Sequence, residues 1–588
     1  MKNLIYILVD ALSFDNIGKR EYRTSPTPFL DSLKEKSYSS DFMYTQAPYT
    51  EAAFVSTLCG ENVLDHGGYL LGLNNCETSY ASILKRKGYH TLSTFSPYIM
   101  SKSYIKDVDD FYYSRTFSME PLKLYRLTYY KEKYERNEII EEEYKICELL
   151  IEEAFEILLD QIIAIINEEE RVKLISTCIE SKERLPELLK SIEEQQARFL
   201  RNKKEYVEKI FEEWDEHVLL KDTNLSLGKK VSQETRIYLE KKWADFLNDI
   251  QQQSNYYMRV NLKYDWKYLI DLAINDENKY HGAIQTYRRY KERYNNEEIK
   301  KSINESVEEK VTVSAKRQLD LFAEKIIELD KVGENYFTFI HLEDFHLPSM
   351  IYTYDTDDLS LIDKEFENLR EFVKQLPDNY RGNLLADMSA FYVDCAIKEF
   401  YNTIMQNTKD DFVFVITADH GYPCNYNPPR PIIFNAFYQE NYHIPIIIYD
   451  SVCEKKELGR ELQSSLDIMP MLLNAVGCEE AFPKGREYIL IEYPGPGCPD
   501  ISSKEIYYAI FDGKYKIAFK VKLLDDVTEA RAVLATDIEN DPEETKNLIK
   551  KINKSSRMKG LVKIVNQRHK EIRDRFQGEK FYNRILKG

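Results

Sequence analysis

The stretch Leu4-Ile5-Tyr6-Ile7-Leu8-Val9-Asp10 decides how the rest of the chain is interpreted. Its apolar run is too short for the core of a signal peptide, and no small-residue cleavage site follows it. A short apolar run that ends in a charged residue is typical of a buried β-strand. We therefore expect a strand at residues 4–9 with Asp10 at its carboxyl end, in a cytoplasmic protein.

Two further apolar runs have the same character. Residues 412–417 precede Asp419 and His420, and residues 336–342 form another strand-like run. In open α/β sheets, functional groups gather at the carboxyl ends of the strands. Each strand end alone could be a helix cap or a turn. Together, the carboxylates of Asp10 and Asp419 and the imidazole of His420 make a suitable ligand set for a divalent cation.

Composition narrows the classes of protein that the chain can belong to. It has 588 residues, of which 43% are hydrophobic, and a formal net charge of −18. This length exceeds a single core, and the negative charge argues against nucleic acid as the main partner. No apolar run in the sequence is long enough for a membrane span. Nine cysteines without regular spacing fit reduced thiols better than a disulfide framework.

The distribution of proline and glycine divides the chain into segments. Residues 116–330 contain only two prolines and two glycines, and apolar residues recur at three- and four-residue steps within residues 139–166, which predicts amphipathic helices. Elsewhere, strand-like runs alternate with turns and helices, which is typical of an α/β sandwich around a mostly parallel sheet. We predict a catalytic α/β domain at residues 1–115 and 333–480, an inserted helical domain at 116–332, and a small C-terminal α+β region with a helical tail at 481–588. The insertion could instead be a mere spacer.

Residues 46–60 make the order of the motifs recognisable. They read Gln-Ala-Pro-Tyr-Thr-Glu-Ala-Ala-Phe-Val-Ser-Thr-Leu-Cys-Gly, and Asp10 and the Thr-Pro-Phe-Leu-Asp-Ser-Leu stretch of residues 27–33 precede them. This series resembles the sulfatase and phosphoglycerol-transferase branch of the alkaline-phosphatase superfamily. Members have a strand ending in a metal-binding Asp, a Thr-Pro-x-Leu-x-x-Leu helix, and a nucleophile at the start of a helix that ends in Leu-x-Gly. The resemblance implies that Thr50, ten residues before Gly60, is the nucleophile.

The resemblance continues in order through the second half of the chain. Five segments are similar to family motifs: residues 339–348 (His-x-x-Asp-x-His-x-Pro), 417–421 (the second metal-binding strand end), 443–448 (Val-Pro-Leu-Ile-Ile), 465–473 (Leu-Asp-Ile-x-Pro-Thr-Leu) and 537–548 (Asp-Leu-x-x-Asp-Pro-x-Glu-x-x-Asn-Leu). The resemblance implies an alkaline-phosphatase-like sandwich in which Asp10, Thr50, Asp419 and His420 bind a metal. Because Ala11 stands where many relatives have a second acidic residue, we expect one divalent cation, which could be Mn, Mg, Ca or Zn.

Two departures from the sulfatase pattern bear on the substrate. Family sulfatases carry Cys-x-Pro-x-Arg or Ser-x-Pro-x-Arg at the nucleophile, and that Cys or Ser is oxidised to formylglycine. Here the sequence is Thr-Glu-Ala-Ala-Phe at residues 50–54, and threonine is not a substrate for the conversion. The Gly-Lys-Trp-His segment of sulfatases is also absent after residues 88–91. A threonine nucleophile resembles instead the phosphoglycerol and phosphoethanolamine transferases, which are membrane-anchored.

We therefore predict a metal-dependent hydrolase of phosphate esters, acting on diesters or monoesters. Thr50 would attack phosphorus, and coordination to the cation would lower the pKa of its hydroxyl. His346 is the candidate for contacting a substrate oxygen or for protonating the leaving group. His341 and His66 are weaker candidates for binding the substrate. Each of these three histidines could also be a buried imidazole that is hydrogen-bonded to a loop.

Two other functions stay open at this point. One is a transferase that passes a phospho or sulfo group to a glycan or a lipid-linked precursor; the other is a partner-binding scaffold built on a sulfatase-like domain. We expect an anionic ester as substrate, which could belong to a glycan or a lipid-linked precursor. Lys514 and Lys516 could reach such an anion, although lysines on strands are usually solvated. The many tyrosines of the helical insertion could form a homo-oligomer interface, but helix packing explains most of them equally well.

Overall fold

The computed structural model describes residues 2–19, 23–66, 73, 76, 78–95, 107–113, 130–137, 139–169, 172–174, 183, 185–212, 232–252, 313–345, 356–377, 380, 384–409, 411–422, 437–452, 457–478, 481–493, 505–522, 530–542, 544–552 and 555–576. Within these ranges, no helix is both long and apolar enough to cross a membrane. The described residues build a large α/β unit on a nine-stranded sheet and a smaller C-terminal unit on a four-stranded sheet.

The central sheet is mostly parallel. The strands of the chain are β1 (Asn3–Val9), β2 (Tyr38–Ser40), β3 (Met43–Tyr44), β4 (His90–Phe95), β5 (Asp110–Tyr113), β6 (Val172–Leu174), β7 (Tyr336–Leu342), β8 (Phe412–Thr417), β9 (Ile446–Asp450), β10 (Glu457–Gly459), β11 (Gln463–Ser464), β12 (Ile489–Tyr493), β13 (Glu505–Phe511), β14 (Tyr515–Lys522) and β15 (Arg531–Asp537). The order in the central sheet is β10-β2-β9-β8-β1-β7-β4-β5-β6, and β9 runs antiparallel to both of its neighbours. The predicted α/β class with a mostly parallel sheet is confirmed.

Strand β1 lies in the middle of this sheet, between β7 and β8, and is parallel to both. Residues 4–9 are each 0% exposed, as expected for a strand that is buried on both faces of a parallel sheet. Leu8 pairs with His341 on one side and with Thr417 on the other. The three strands therefore end at the same level, and the residues that follow them meet at one edge of the sheet.

The helices account for most of the remaining described residues. They are α1 (Pro28–Lys34), α2 (Thr50–Cys59), α3 (Tyr80–Arg86), α4 (Glu141–Ile166), α5 (Leu185–Arg201), α6 (Lys203–Glu212), α7 (Gln233–Gln252), α8 (Ala315–Val332), α9 (Leu359–Lys374), α10 (Leu384–Asn407), α11 (Gln439–Tyr442), α12 (Ile468–Ala475), α13 (Ile549–Ile552) and α14 (Ser556–Phe576). Short 3-10 helices also lie at Phe14–Asn16, Val63–His66 and Ser465–Asp467.

Helices cover both faces of the central sheet. On one face, Phe54 of α2 meets Phe339 of β7 edge to face, with the ring centroids 5.8 Å apart. On the other face, Tyr401 of α10 meets Phe414 of β8 at 5.6 Å, and α8 packs beside α10. The register partners of Phe339 and Phe414 in β1 are successive residues, which point to opposite faces of the sheet. The large unit is thus a three-layer sandwich, as the alternation of strands and helices predicted.

Among the described residues, the region predicted as an insertion contains α4 to α8 and one strand, and α8 packs on the central sheet beside α10. Helix α4 lies within the stretch whose periodicity predicted a helix, and it buries Phe155, Leu158 and Ile162. Strand β6 pairs in parallel with β5 and so extends the central sheet. Residues 253–312 lie outside the described part of the chain. The domain boundaries and a homo-oligomer formed through this region stay predictions.

The C-terminal unit is an antiparallel sheet with one helix. Its strands follow the order β12-β13-β14-β15, and α14 covers one face through buried residues such as Val565 and Ile572. The other face packs on the large unit, where Phe511 lies in one buried cluster with Tyr44 and Phe437. Both faces of the C-terminal sheet are thus covered, one by α14 and the other by the large unit.

A buried ion pair fastens the segment after β1 to α10. The Nη1 atom of Arg23 donates to Oδ1 of Asp387 over 2.9 Å, and the hydroxyl of Tyr380 donates to Oδ2 over 2.6 Å. The side chains of Arg23 and Asp387 are 1% and 0% exposed. Burial raises the pKa of Asp387 above its ordinary value, although Arg23 and Tyr380 lower it. The carboxylate therefore depends on its cationic partner.

This pair predicts a strongly non-additive response to mutation. Arg23→Met leaves the buried carboxylate uncompensated and should lower the free energy of unfolding by about 3–5 kcal/mol. The double variant Arg23→Met/Asp387→Leu removes both charges and should recover most of that loss. Urea unfolding of the two variants and the wild type measures the difference.

The exposed pair between Lys325 and Glu328 on α8 is the matched control. Lys325→Met should change the free energy of unfolding by no more than about 1 kcal/mol, because solvent screens the pair. If Arg23→Met were as mild as Lys325→Met, the buried pair would not have the structural role assigned to it.

Candidate metal centre and nucleophile

The carboxyl edge of the central sheet brings three predicted metal ligands together. Asp10 follows β1, and Asp419 and His420 follow β8; one ligand atom from each lies within 4.8 Å of the other two. These side chains are buried, with Asp10 and His420 each 4% exposed and Asp419 0% exposed. Parallel pairing of β1 with β8 explains the meeting of residues that are about 400 positions apart in the sequence.

Backbone amides hold one oxygen of Asp419. The N–H groups of Ala11 and His420 donate to Oδ1 over 3.1 and 2.8 Å. Ala11 adopts a φ of +62°, a left-handed conformation that is unfavourable for a residue with a side chain. Strain of this kind persists where the surrounding structure determines the backbone, and here it aims the Ala11 N–H at Asp419.

The ring of His420 has a defined orientation. Its Nδ1 lies 2.8 Å from the carbonyl oxygen of Gly421, which can only accept a hydrogen bond, so Nδ1 carries the proton. The Nε2 atom then presents its lone pair toward Asp10 Oδ1 at 3.5 Å and Asp419 Oδ2 at 3.6 Å. Gly421 cannot be replaced here, since a Cβ atom would lie 1.7 Å from the carbonyl oxygen of Glu440.

Thr50 joins this group as the first residue of α2. Its Oγ1 atom lies 3.4 Å from Asp10 Oδ2 and 3.3 Å from His420 Nε2. Tyr49 precedes the helix in extended conformation, without a capping hydrogen bond from its side chain, and Gly60 ends the helix with a φ of +69°. The unpaired N–H groups of the first helical turn place partial positive charge around the hydroxyl, which favours the binding of an anion there.

The charges of this site call for a cation. Burial raises the pKa of Asp419, the negative charge of Asp10 raises it further, and His420 and His341 oppose both effects. Two buried carboxylates whose oxygens lie within 4.8 Å of each other repel unless a positive charge lies between them. Two carboxylates, an imidazole and a hydroxyl are ligands that Mn, Mg, Ca and Zn ions accept. The residues present therefore fit a divalent cation.

His341 is buried in the protein interior, in contact with Asp10. Its side chain is 0% exposed, and its Nε2 atom lies 3.3 Å from Asp10 Oδ2. Burial alone would lower the pKa of His341, but the hydrogen bond to Asp10 and the charges of Asp10, Asp419 and Glu343 outweigh burial and raise it. The observed contact of His341 is thus with a candidate metal ligand, and its predicted contact with substrate stays a prediction.

Two other predicted residues cannot be placed as fully. His66 ends the short helix Val63–His66, and its side chain lies outside what the structure describes. His346 lies outside the described part of the chain. Sequence reasoning missed the N–H groups of Ala11 and His420 that hold Asp419, because backbone donors leave no signal in the residue types.

Comparison with known proteins gives several similar chains. An arylsulfatase of Clostridium perfringens is 34% identical over 92 residues, which span 15% of this chain and 19% of that relative. A phosphonate monoester hydrolase of Agrobacterium radiobacter is 11% identical with a TM-score of 0.47, over 97% of this chain and 96% of that one. A protein of the alkaline phosphatase superfamily from Vibrio parahaemolyticus is 11% identical with a TM-score of 0.41, over 92% and 84%.

The sulfatase family model matches residues 2–225 and 231–478. The matched ranges contain Asp10, Thr50, Asp419 and His420. Members of this family are metal-dependent enzymes of the alkaline-phosphatase superfamily, in agreement with the Asp and His cluster described above. Because the match extends over well more than half of its length, the chain belongs to the sulfatase family.

Proposed function

We propose that this sulfatase-like hydrolase cleaves an anionic phosphorus ester in a metal-dependent reaction, with Thr50 as the nucleophile. The observation that carries the proposal is the position of Thr50 Oγ1, 3.4 Å from Asp10 Oδ2 and 3.3 Å from His420 Nε2 at the start of α2. A hydroxyl in contact with a carboxylate and an imidazole, beside a helix N-terminus, has the surroundings of an activated nucleophile.

The threonine side chain favours phosphorus over sulfur. The formylglycine of the family's sulfatases is an aldehyde whose hydrate has two hydroxyl groups on one carbon, and the second hydroxyl can expel sulfate. Thr50 has one hydroxyl and a methyl group on Cβ. An ester formed on Thr50 must therefore be resolved by water attacking the transferred group itself, as occurs for phosphoryl groups.

Asp10, Thr50, Asp419 and His420 are the residues that would hold the cation in this proposal. When bound, a divalent cation would lower the pKa of the Thr50 hydroxyl and neutralise charge on the transferring group. The Ala11 and His420 N–H groups fix Asp419, and the Gly421 carbonyl fixes the tautomer of His420. Such outer contacts keep the ligand atoms in place before any ion arrives.

The chain's own residues account for the covalent steps. The Thr50 hydroxyl donates its hydrogen bond to Asp10 Oδ2, so this oxygen is where its proton can go. Thr50 Oγ1 forms a bond to phosphorus while the bond from phosphorus to the leaving oxygen breaks. Water then attacks the phosphorus of this intermediate, the bond from phosphorus to Thr50 Oγ1 breaks, and the hydroxyl is restored. The product is phosphate from a monoester substrate and a phosphate monoester from a diester substrate. Protonation of the leaving oxygen is the role that we propose for His346.

Several finer features belong to the same proposal. The ester could be part of a glycan or a lipid-linked precursor, and an alcohol in place of water would make the enzyme a transferase. The cytoplasmic location and the presence of a single cation are also proposals. We propose a single cation because Ala11, beside Asp10, offers no side-chain ligand for a second one.

Substitution of Thr50 tests the nucleophile. The substrates are p-nitrophenyl esters: a phosphate monoester, a phosphodiester, a phosphonate monoester and a sulfate, each with Mn, Mg, Ca and Zn ions. Thr50→Ala should lower kcat for the preferred phosphorus ester by at least about 10³-fold, whereas Thr50→Ser, which keeps the hydroxyl, should retain measurable turnover.

Thr57→Val is the matched control, since Thr57 is a buried threonine of the same helix and its hydroxyl is not part of the site. This variant should keep wild-type kcat. Turnover of the sulfate ester alone would contradict the phosphorus assignment. If the metal-loaded protein turned over none of the esters, the result would favour a transferase that needs its own acceptor.

Metal removal tests the candidate centre independently of turnover. A cation that binds the folded state alone stabilises it by about 2.7 kcal/mol at a concentration of 100 Kd. We expect at least one of Mn, Mg, Ca or Zn to raise the unfolding temperature of the chelator-treated protein, and Asp419→Asn to abolish that rise. Asp15→Asn is the control, and it should respond to the ion as the wild type does. An unchanged response in Asp419→Asn would rule out this site as the origin of the stabilisation.

A further inference from the structure

One short segment contacts all three parts of the chain that supply the candidate ligands. This connecting segment is residues 439–443, formed by α11 and His443. Its Asn441 carbonyl accepts from the Gly421 N–H over 3.0 Å, beside His420. Its His443 carbonyl accepts from the Phe14 N–H over 2.7 Å, a few residues after Asp10. Its Tyr442 carbonyl accepts from the N–H of Thr45 over 2.8 Å, shortly before Thr50.

The His443 ring locks the connecting segment in place. It stacks on Phe14 with the ring centroids 4.1 Å apart and on Tyr44 with the centroids 4.8 Å apart. Its Nε2 atom lies 2.8 Å from the carbonyl oxygen of Asp41 and therefore carries the proton that it donates. A ring held on two faces and at one edge leaves the segment little freedom to shift.

The link from this segment to His420 is close and direct. Gly421 packs so tightly on the segment that an added Cβ atom would meet the carbonyl oxygen of Glu440. The carbonyl of Gly421 is also the acceptor for His420 Nδ1. A displacement of the connecting segment would therefore move the Gly421 peptide, and with it the ring of His420.

The C-terminal unit anchors the connecting segment through Glu544. The N–H of Gln439, the first residue of α11, donates to Glu544 Oε2 over 2.6 Å. The Thr536 hydroxyl donates to Oε1 over 3.0 Å, and Lys516 forms an ion pair with the same carboxylate. Glu544 and Lys516 are 2% and 3% exposed, so Lys516 is an internal partner of Glu544 rather than a solvated strand lysine.

Two features indicate that Glu544 does more than fill space between the C-terminal unit and the connecting segment. Its backbone has a φ of +53°, a left-handed conformation that glycine would adopt at lower cost. A buried carboxylate also carries a desolvation penalty that its partners must offset. The chain nevertheless maintains a charged side chain here, where it meets the N–H at the start of α11.

We propose that Glu544 is a positioning residue for the candidate metal centre. It holds the connecting segment, which holds the Gly421 peptide, which sets the orientation of His420. The inference rests on the proposed function, since it takes His420 to be a metal ligand. Outer contacts that orient a ligating histidine typically change metal affinity by about 10–100-fold when they are removed.

A matched pair of double variants isolates the anchoring hydrogen bond. Glu544→Ala/Lys516→Met removes the acceptor for Gln439 without leaving a buried lysine unpaired. Glu544→Gln/Lys516→Met differs from it only in keeping a carbonyl oxygen for that N–H. The probe is Co²⁺ added to the chelator-treated full-length protein, with the visible absorption of the bound ion reporting both affinity and coordination. The alanine variant should bind Co²⁺ about 10–100-fold more weakly than the wild type and with a changed spectrum, while the glutamine variant should stay within about threefold.

Two further variants separate positioning from general loss of stability. Gln439→Pro removes the same hydrogen bond from the donor side, at a first helical position that tolerates proline, and should weaken Co²⁺ binding as the alanine variant does. It keeps the inference testable if the double variant does not fold. Val565→Ala should destabilise the C-terminal unit through its core while leaving Co²⁺ affinity unchanged.

The outcomes distinguish this inference from the proposed function. Wild-type affinity and spectrum in the alanine variant and in Gln439→Pro would overturn the positioning role and leave the metal centre standing. Equal weakening in the glutamine variant or in Val565→Ala would also overturn it, because the effect would then follow stability rather than the hydrogen bond. A wild type that binds neither Co²⁺ nor any of Mn, Mg, Ca and Zn would overturn the metal centre and the inference together.

Discussion

Two buried carboxylates, Asp10 and Asp419, repel each other at the carboxyl edge of the central sheet, and the groups around them offset that repulsion. Both lie at the end of strands in the middle of the sheet, where burial and mutual charge raise the pKa of Asp419. Water cannot screen them there, so neighbouring groups must supply positive charge or hydrogen-bond donors. The structure supplies the N–H groups of Ala11 and His420 to one oxygen and places His341 against Asp10. The two carboxylates and His420 form a group that could hold a divalent cation.

The fold satisfies this constraint by arranging rigid elements around one edge of a parallel sheet. Strands β1, β7 and β8 end at the same level, and α2 begins there with Thr50 in contact with the candidate ligands Asp10 and His420. The C-terminal unit then closes the arrangement from outside through Glu544 and the connecting segment of residues 439–443. Outer contacts of this kind fix the orientation of metal-binding side chains. The backbone is strained at Ala11, which contacts Asp419 directly, and at Glu544, which contacts the connecting segment.

The sequence predicted those parts of the structure that leave a pattern within a short stretch of residues. An apolar run ending in a polar residue predicted β1 with Asp10, and motif order predicted that Thr50 would lie near Asp419. Contacts between distant residues had no such signal. The pairing of Arg23 with Asp387 joins positions 364 residues apart, and the burial of Lys516 follows from packing against Glu544 rather than from its alternating strand. Strand β6 was missed because its three residues, Val172–Leu174, are too short a run to stand out as a strand within a region of helical periodicity.

Identification of the covalent intermediate shows whether Thr50 is the nucleophile. The metal-loaded protein would be mixed with its preferred p-nitrophenyl phosphorus ester, quenched in acid during turnover, digested and examined by mass spectrometry. We expect one phosphoryl group, located on Thr50 in the peptide that contains the start of α2. A phosphoryl group on another residue, or a peptide that stays unmodified throughout turnover, would contradict the assignment of Thr50 as the nucleophile.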